Sequence, residues 1–355
     1  MKILLVTDLY PLNNDRTIPK VIEDFALGLN EIGYEIEVLR GNFLINSYLR
    51  KHQILKNEIY YRYGIKIYNK NFFLPFISAT FENNNYDLII SHMPSGHILA
   101  SEINQKLKLP HIAIVHQSDY KVLSDIKYAI FFRNRLKKAL KNASKIGARN
   151  FFLTNKLKAD FTLPSYIQKE QIVENKKINN EKMKLITLSK LIKRKNIDKV
   201  IIALSQVDFD FEYSIYGEGK EKGKLQNLIK KYNLEEKIKI YNHIPHNQIW
   251  EKLDENVIFI LPSINETFGI SYLEAMTRGL IVVGTKGTGI DGYIQNKENG
   301  FLIEPTIEEI KSVLIEINKT DKEKIVNSSL LNIQNFTKEK IMNKYNEIIK
   351  KTLWN

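Results

Sequence analysis

The chain has 355 residues, of which 43% are hydrophobic and 26% charged, the composition of a soluble globular protein large enough for two domains. It contains no cysteine, which excludes disulfides, thiolate catalysis and cysteine-based zinc sites. A formal net charge of +13 points to an anionic partner (nucleic acid, an anionic membrane or a phosphate-bearing substrate) or only to a Lys-rich, soluble composition, and charge alone does not choose among these.

Strand and helix signals alternate along the chain. The N-terminal run MKILLVTDLYP is too short for a signal peptide or a membrane span and reads as a first buried strand over Lys2–Thr7, so a cytoplasmic protein is expected. Ile18, Val21, Ile22, Phe25, Leu29 and Ile32 form one helical stripe, Gly33 ends that helix, and Glu35–Leu39 reads as the next strand. The region Gly41–Phe76, rich in Asn, Lys and aromatic residues, reads as an insertion. Short apolar strands follow at Asp87–Ile90 and Ile112–Val115. A second series starts near Lys184, with strands at Leu185–Leu188, Tyr213–Tyr216, Ile238–Tyr241, Val257–Leu261, Ile281–Gly284 and Gly300–Ile303, separated by helical segments. Continuous apolar strands suit parallel sheets covered on both faces, so the fold class is α/β with two doubly wound, Rossmann-like domains. The expected division is a first domain over 1–170, a polar linker over 171–182, a second domain over 183–336, and a C-terminal helix over 337–355 able to dock on either.

The segment PSINETFGISYLEAMTRG, starting at Pro262, carries the chemistry. A buried strand ends at Leu261, a polar loop follows, and a helix begins near Gly269, at the carboxyl end of the sheet where such folds bind ligands. A helix N-terminus there suits a phosphate; Gly269 allows close backbone approach and Ser271 adds a hydroxyl. Glu266 and Glu274 straddle this anion site and fit hydroxyl groups on either side, such as a sugar and a ribose. The plain alternative is a helix with one acid before it and one exposed Glu.

This pattern resembles the retaining GT-B glycosyltransferases of family 4, the glycosyl transferases group 1, and the segment ENGFLIEP (Glu298–Pro305) is similar to another of that family's motifs. The resemblance implies two Rossmann-like domains facing across a cleft, a nucleotide-sugar donor on the second and a glycan or lipid-diphosphate-linked acceptor on the first. Glu266 would contact donor-sugar hydroxyls and Glu274 the ribose, while Phe268, Gly269, Ile270 and Ser271 would line the diphosphate and sugar. In LSKLIKRKNID, Lys190 and Lys195 match the family's two cations, which neutralise the departing diphosphate; Asn196 stands where glycine is usual, and any one Lys here also reads as an ordinary solvated side chain. Gly217 and Gly219 resemble a glycine turn of the family, and by the same resemblance Gly287, Thr288 and Gly289 would approach the donor through backbone, in a segment where Gly292 replaces a frequent Glu.

In the first domain, His116 matches a family histidine directed at the donor sugar, or is a satisfied half-buried histidine; Asp119 is a neighbouring candidate on the acceptor side. The loop Thr7–Pro19 lacks the family's Gly-Gly pair and offers Arg16 for an anion. Asp208-Phe-Asp210 reads as turn chemistry, and no metal or other cofactor is expected. Between Asp125 and Asp160 there is no acid, and Tyr128, Phe131, Phe132, Leu136, Ala139, Leu140 and Ala143 form an apolar stripe, either a core-packed helix or a membrane-surface helix attracted to anionic lipid. No nucleic-acid motif appears. The expectation is a metal-independent, retaining hexosyltransferase using a UDP-linked donor in bacterial surface-glycan, lipooligosaccharide or protein-glycan assembly, peripheral at the inner face of the membrane, with a non-catalytic nucleotide-sugar or lipid-binding scaffold as the alternative and GDP- or ADP-sugars open. A nicotinamide dehydrogenase would need a glycine-rich turn after the first strand, and Thr7–Thr17 has no glycine.

Overall fold

The computed structural model describes residues 1–10, 21–42, 61–62, 65–67, 70–72, 85–125, 130–178, 182–264, 266 and 269–354. The chain divides into two compact units: Met1–Arg149, Leu153–Leu163 and Met342–Asn355 form the first, and Asn150–Phe152 with Pro164–Ile341 the second.

In the first unit, β1 (Lys2–Thr7), α1 (Val21–Glu31) and β2 (Glu35–Asn42) are followed by β3 (Tyr61–Arg62) and a small antiparallel pair, β4 (Ile65–Ile67) and β5 (Lys70–Phe72). Then come β6 (Leu88–His92), α2 (Pro94–Leu107), β7 (His111–Val115), α3 (Gln117–Ser124), α4 (Ile130–Lys141), β8 (Lys145–Ala148), α5 (Phe151–Leu157) and β9 (Phe161–Thr162). The parallel sheet has the order β3-β2-β1-β6-β7-β8-β9. Its central strands are buried on both faces: Ile3 to Val6, Leu88 to Ile90 and Ile112 to Val115 are nearly inaccessible. That is why the apolar runs were continuous in the sequence rather than alternating.

The stripe on α4 is spent on the core. Phe132, Leu136, Ala139 and Leu140 are buried and α4 packs on α2, so this apolar face is already occupied by protein. The core-packed alternative therefore holds for the described part of the helix; Tyr128 and the side chain of Phe131 lie outside the described residues. Lys137, Lys138 and Lys141 stay exposed, whereas Arg133 donates to Asp125 O at 3.1 Å and Arg135 pairs with Glu102.

The second unit contains β10 (Met183–Leu188), α6 (Ile197–Leu204), β11 (Phe211–Tyr216), α7 (Lys222–Lys231), β12 (Ile238–Tyr241), α8 (Ile249–Asp254), β13 (Ile258–Ile260), α9 (Ile270–Thr277), β14 (Ile281–Thr285), β15 (Phe301–Ile303), α10 (Ile307–Lys319) and α11 (Lys322–Ile333). Its sheet is parallel, with the order β12-β11-β10-β13-β14-β15, so the strand order reverses beside β10. The apolar residues Leu185, Ile215, Ile258, Ile260 and Val283 meet α6 and α10 residues such as Val200, Ile201 and Leu314 in one core.

The stretch expected as a polar linker is fastened to this unit. Val173 N donates to Thr277 O at 2.9 Å, Arg278 Nη1 donates to Gln171 O at 3.2 Å, and Ile172, Val173 and Ile178 pack against the core. Three apolar residues among polar ones are enough to hold it down. The last helix, α12 (Lys338–Leu353), passes from the second unit to the first, to which Met342 onward belongs. There the Tyr345 ring lies 4.7 Å from Phe25, and Tyr34 Oη donates to Asn346 Oδ1 at 2.6 Å.

Candidate functional site

In the second unit, two loops leave the carboxyl ends of neighbouring strands β10 and β13 and are tied together. Asn196 Nδ2 donates to Pro262 O at 2.7 Å, and Ile264 N donates to Arg194 O at 2.9 Å. Asn196 adopts the left-handed conformation (φ 53°, ψ 31°) and precedes α6, the geometry the glycine-tolerant position requires. A short 3-10 turn, Lys193–Lys195, brings Lys195 inward, where it is 7% exposed.

These ties bring Lys195 and Glu266 into contact. Lys195 Nζ donates to Glu266 Oε2 at 2.6 Å, Ser263 Oγ donates to the same oxygen at 3.0 Å, and Arg194 Nη1 stands 3.5 Å away. Burial pushes the Glu266 carboxyl up, but Lys195, Arg194 and Ser263 together outweigh it and hold the group below its ordinary value. Burial pulls the Lys195 ammonium down by more than Glu266 raises it, with Arg194 adding to the fall. Arg194 and Ser263 lay inside the quoted motifs, yet in a Lys-rich run and a turn nothing singled them out. Lys190 is exposed on the same loop as Lys195.

Gly269 (φ 61°) starts α9, and Tyr272 N and Leu273 N both donate to its carbonyl, so the amides of Ile270 and Ser271 lie ahead of the helical ladder. Phe268 lies outside the described residues. The loop after β14 closes on this point: Gly289 N donates to Glu266 O at 3.0 Å, Gly287 N donates to Asp291 Oδ2 at 2.7 Å, and the buried Thr288 hydroxyl donates to Thr285 O at 2.7 Å. Thr288 thus shapes the loop with its hydroxyl. Asn299 of the ENGFLIEP segment is fully buried and braces the following turn, accepting from Gln295 N at 2.7 Å and donating to Tyr293 O at 3.1 Å.

Glycines are required where backbones meet. A Cβ at Gly217 or Gly219 would fall on the carbonyl oxygens of Ser189 and Leu191, so the turn after β11 lies directly on the loop that carries Lys190. Gly292, at φ 98°, faces the ring of Phe151, which a Cβ would overlap. That contact explains why no carboxylate stands there. Gly292→Ala is expected to lower stability by roughly 1–3 kcal/mol, read as a shifted urea midpoint with unchanged slope.

Glu274 is not an exposed helix residue but only 8% accessible, and its Oε1 lies 2.6 Å from His246 Nε2. His246 sits in a 3-10 turn after β12, 28 residues from its partner, and nothing in its local sequence announces the pairing. Asp208 and Asp210 stand before β11, at the opposite end of that strand from the glycine turn; Asp210 pairs with Lys182 at 3.4 Å and Lys237 at 3.2 Å. No group of three or more His, Asp or Glu with metal-binding geometry occurs among the described residues.

The first-unit candidates are described within their own unit. His116 is 1% exposed, follows β7 and packs on a second buried histidine, with 2.9 Å between His116 Nε2 and His92 Nδ1. Burial holds both imidazoles well below their ordinary value, with Arg149 and His97 acting in the same direction on each. Asp119 is fully buried: its Oδ2 accepts from His116 N at 2.7 Å and its Oδ1 stands 3.4 Å from His97 Nε2, so its carboxylate orders the start of α3 instead of facing an acceptor. Arg149 Nη1 donates to Tyr345 Oη at 3.0 Å, which removes it from the basic surface. Arg16 and most of the Gly41–Phe76 segment lie outside the described residues.

Residues 168–327 match the family model described as Glycosyl transferases group 1. The UDP-N-acetylglucosamine–peptide N-acetylglucosaminyltransferase GtfA subunit of Streptococcus pneumoniae is 24% identical over 268 residues, which cover 70% of this chain and 52% of that protein. The chain therefore spans about half the length of that curated relative. The lipopolysaccharide outer core galactosyltransferase WaaB superposes with a TM-score of 0.72 at 14% identity, covering 99% of each chain. HepE of Anabaena, solved in complex with UDP, superposes with a TM-score of 0.69 at 14% identity over 99% of this chain and 100% of its own. Residues 168–327 therefore carry the sequence pattern of the glycosyl transferases group 1 family, and the chain's two parallel α/β sheets have the GT-B fold.

Proposed function

We propose that the protein is a retaining, metal-independent hexosyltransferase that takes a hexose or N-acetylhexosamine from a UDP-linked donor. The observation that carries this reading is the Lys195–Glu266 pair, set beside the start of α9 by three interlocked loops. Glu266 offers an ionised acceptor for sugar hydroxyls. Lys195, Lys190, Arg194 and the first amides of α9 offer positive charge to the diphosphate, the service a divalent ion would otherwise provide. Glu274 takes the ribose, and the Gly217–Gly219 turn lets the nucleotide approach backbone. An acceptor hydroxyl oxygen bonds to the anomeric carbon on the face from which the diphosphate leaves, the C1–O bond to phosphate breaks, and the hydroxyl proton passes to the departing phosphate oxygen.

The acceptor is proposed to be a glycan or lipid-diphosphate-linked glycan in surface-polysaccharide, lipooligosaccharide or protein-glycan assembly, a reading supported by the names of GtfA, a peptide N-acetylglucosaminyltransferase subunit, and of the structural neighbour WaaB, a lipopolysaccharide outer core galactosyltransferase. A panel of UDP-, GDP- and ADP-sugars tests the donor side. Slow release of UDP from one donor, undiminished by EDTA, is expected; no nucleotide release or thermal stabilisation by any donor sinks the catalytic reading and leaves a non-catalytic binding scaffold.

No helix among the described residues is long and apolar enough to cross a membrane. With the α4 stripe buried, attraction to a membrane would rest on charge, from Lys137, Lys138 and Lys141. Flotation with phosphatidylglycerol vesicles at low salt is expected to carry the protein, and high salt or neutral lipid to release it; equal flotation with neutral lipid overturns the electrostatic account.

A further inference from the structure

We infer that His246 is a positioning residue for the nucleotide ribose: it holds the Glu274 carboxylate in the orientation that accepts a ribose hydroxyl. This rests on the reading of Glu274 as the ribose-binding group. The Glu274 side chain is 11% exposed, whereas that of His246 is 68% exposed, yet the two meet at 2.6 Å. An imidazole this open contributes little to packing; it meets the carboxylate and the edge of Trp250, whose ring centroid lies 5.5 Å away at 80°. Trp250 lies at the start of α8, directly after the turn that carries His246, and its ring bounds one side of the imidazole.

The terminal torsion of a glutamate is broad, so a carboxylate without a directional partner samples many planes. A ring N–H aimed at Oε1 selects one plane and leaves the remaining lone pairs of the carboxylate for a further donor. Glu274 Oε1 accepts from Nε2 whether the imidazole is neutral with its proton on Nε2 or is charged, so the positioning needs no titration. Glu274 sits on α9, whose N-terminus carries Gly269, so a nucleotide with its diphosphate at that end has its ribose within reach of the second turn of the helix.

The test is calorimetric titration of the full chain with UDP, 2′-deoxy-UDP and 3′-deoxy-UDP, comparing the wild type with His246→Ala, His246→Gln and Glu274→Gln. If the wild type prefers GDP or ADP, the matching deoxy series replaces these. His246→Ala is expected to weaken UDP about 5-fold while leaving one of the deoxy nucleotides unchanged, and His246→Gln, which keeps an N–H donor, to restore most of the loss. Equal weakening of all three nucleotides by His246→Ala, or no weakening at all, overturns the inference. If Glu274→Gln also binds all three as the wild type does, the assignment of Glu274 to the ribose has failed. If no nucleoside diphosphate binds the wild type, the donor reading fails and this inference with it.

Discussion

Replacing Glu266 by glutamine is expected to lower sugar transfer about 100-fold while leaving nucleotide affinity within about 3-fold of the wild type. The amide has the shape of the carboxylate and can still accept from Ser263, so the loop retains a partner. What disappears is the negative charge held against Lys195 and Arg194, and with it the strong acceptor for sugar hydroxyls. Lys195→Met should also cost on the order of 100-fold, since it removes charge stabilisation of the leaving diphosphate, but it should weaken nucleotide binding as well. The two side chains are in contact, so the double variant is expected to lose much less than the product of the single losses. Steady-state rates on an active donor, with nucleotide titrations of each variant, check all three statements. Equal loss of nucleotide affinity and turnover in Glu266→Gln would move Glu266 from the sugar to the nucleotide end of the site.

Acid should destabilise the first unit sharply. His92, His111 and His116 are buried, and burial holds all three below the ordinary imidazole value, His111 down to about 3. In the unfolded chain each binds a proton near pH 6.5; in the folded unit none does so until the pH falls much further. Below about 6.5 the unfolded state therefore holds more protons, and stability falls as the pH falls. Each histidine contributes a slope of up to roughly 1.4 kcal/mol per pH unit, so three together remove at most about 4 kcal/mol per unit, a large share of the stability of an ordinary domain. The loss begins at the unfolded value and, for His111, ends only near the folded value of about 3. Chemical unfolding at pH 7, 6 and 5 is expected to show a steep decline. His111→Gln should flatten the acid slope by about one proton; the His111 Nε2 lies 2.7 Å from Ser91 Oγ, which the glutamine amide can still reach. An unchanged slope would mean that His111 is protonated in the folded unit.

The central strands were legible because burial on both faces leaves uninterrupted apolar runs, as in Lys2–Thr7, whereas the edge strand Ile238–Tyr241 was legible from Ile238 and Ile240 on one face and the α9 start from Gly269 after a polar loop. The motif residues Lys195 and Glu266 were legible for a different reason: both lie in short polar loops immediately after apolar strands, where charge has no structural duty. Helix α4 was ambiguous because an apolar stripe looks the same whether it faces a protein core or a lipid surface. Only the packing of Leu136 and Ala139 against the rest of the unit decided it.

What the sequence determined by itself is the α/β alternation and the polar loops after β10 and β13 with the types of residue in them, since each of these is a local pattern of at most about twenty residues. The tertiary structure decided the pairings. Lys195 and Glu266 are 71 residues apart, Glu274 and His246 28, and Arg149 and Tyr345 196. It also assigned the expected linker to the second unit and turned Asp119 inward, because a side chain's burial depends on chain brought to it from far along the sequence. Local preference sets which group is present at a position; the contacts that orient it and shift its charge come from parallel strands joined across long crossovers, whose order no single segment contains.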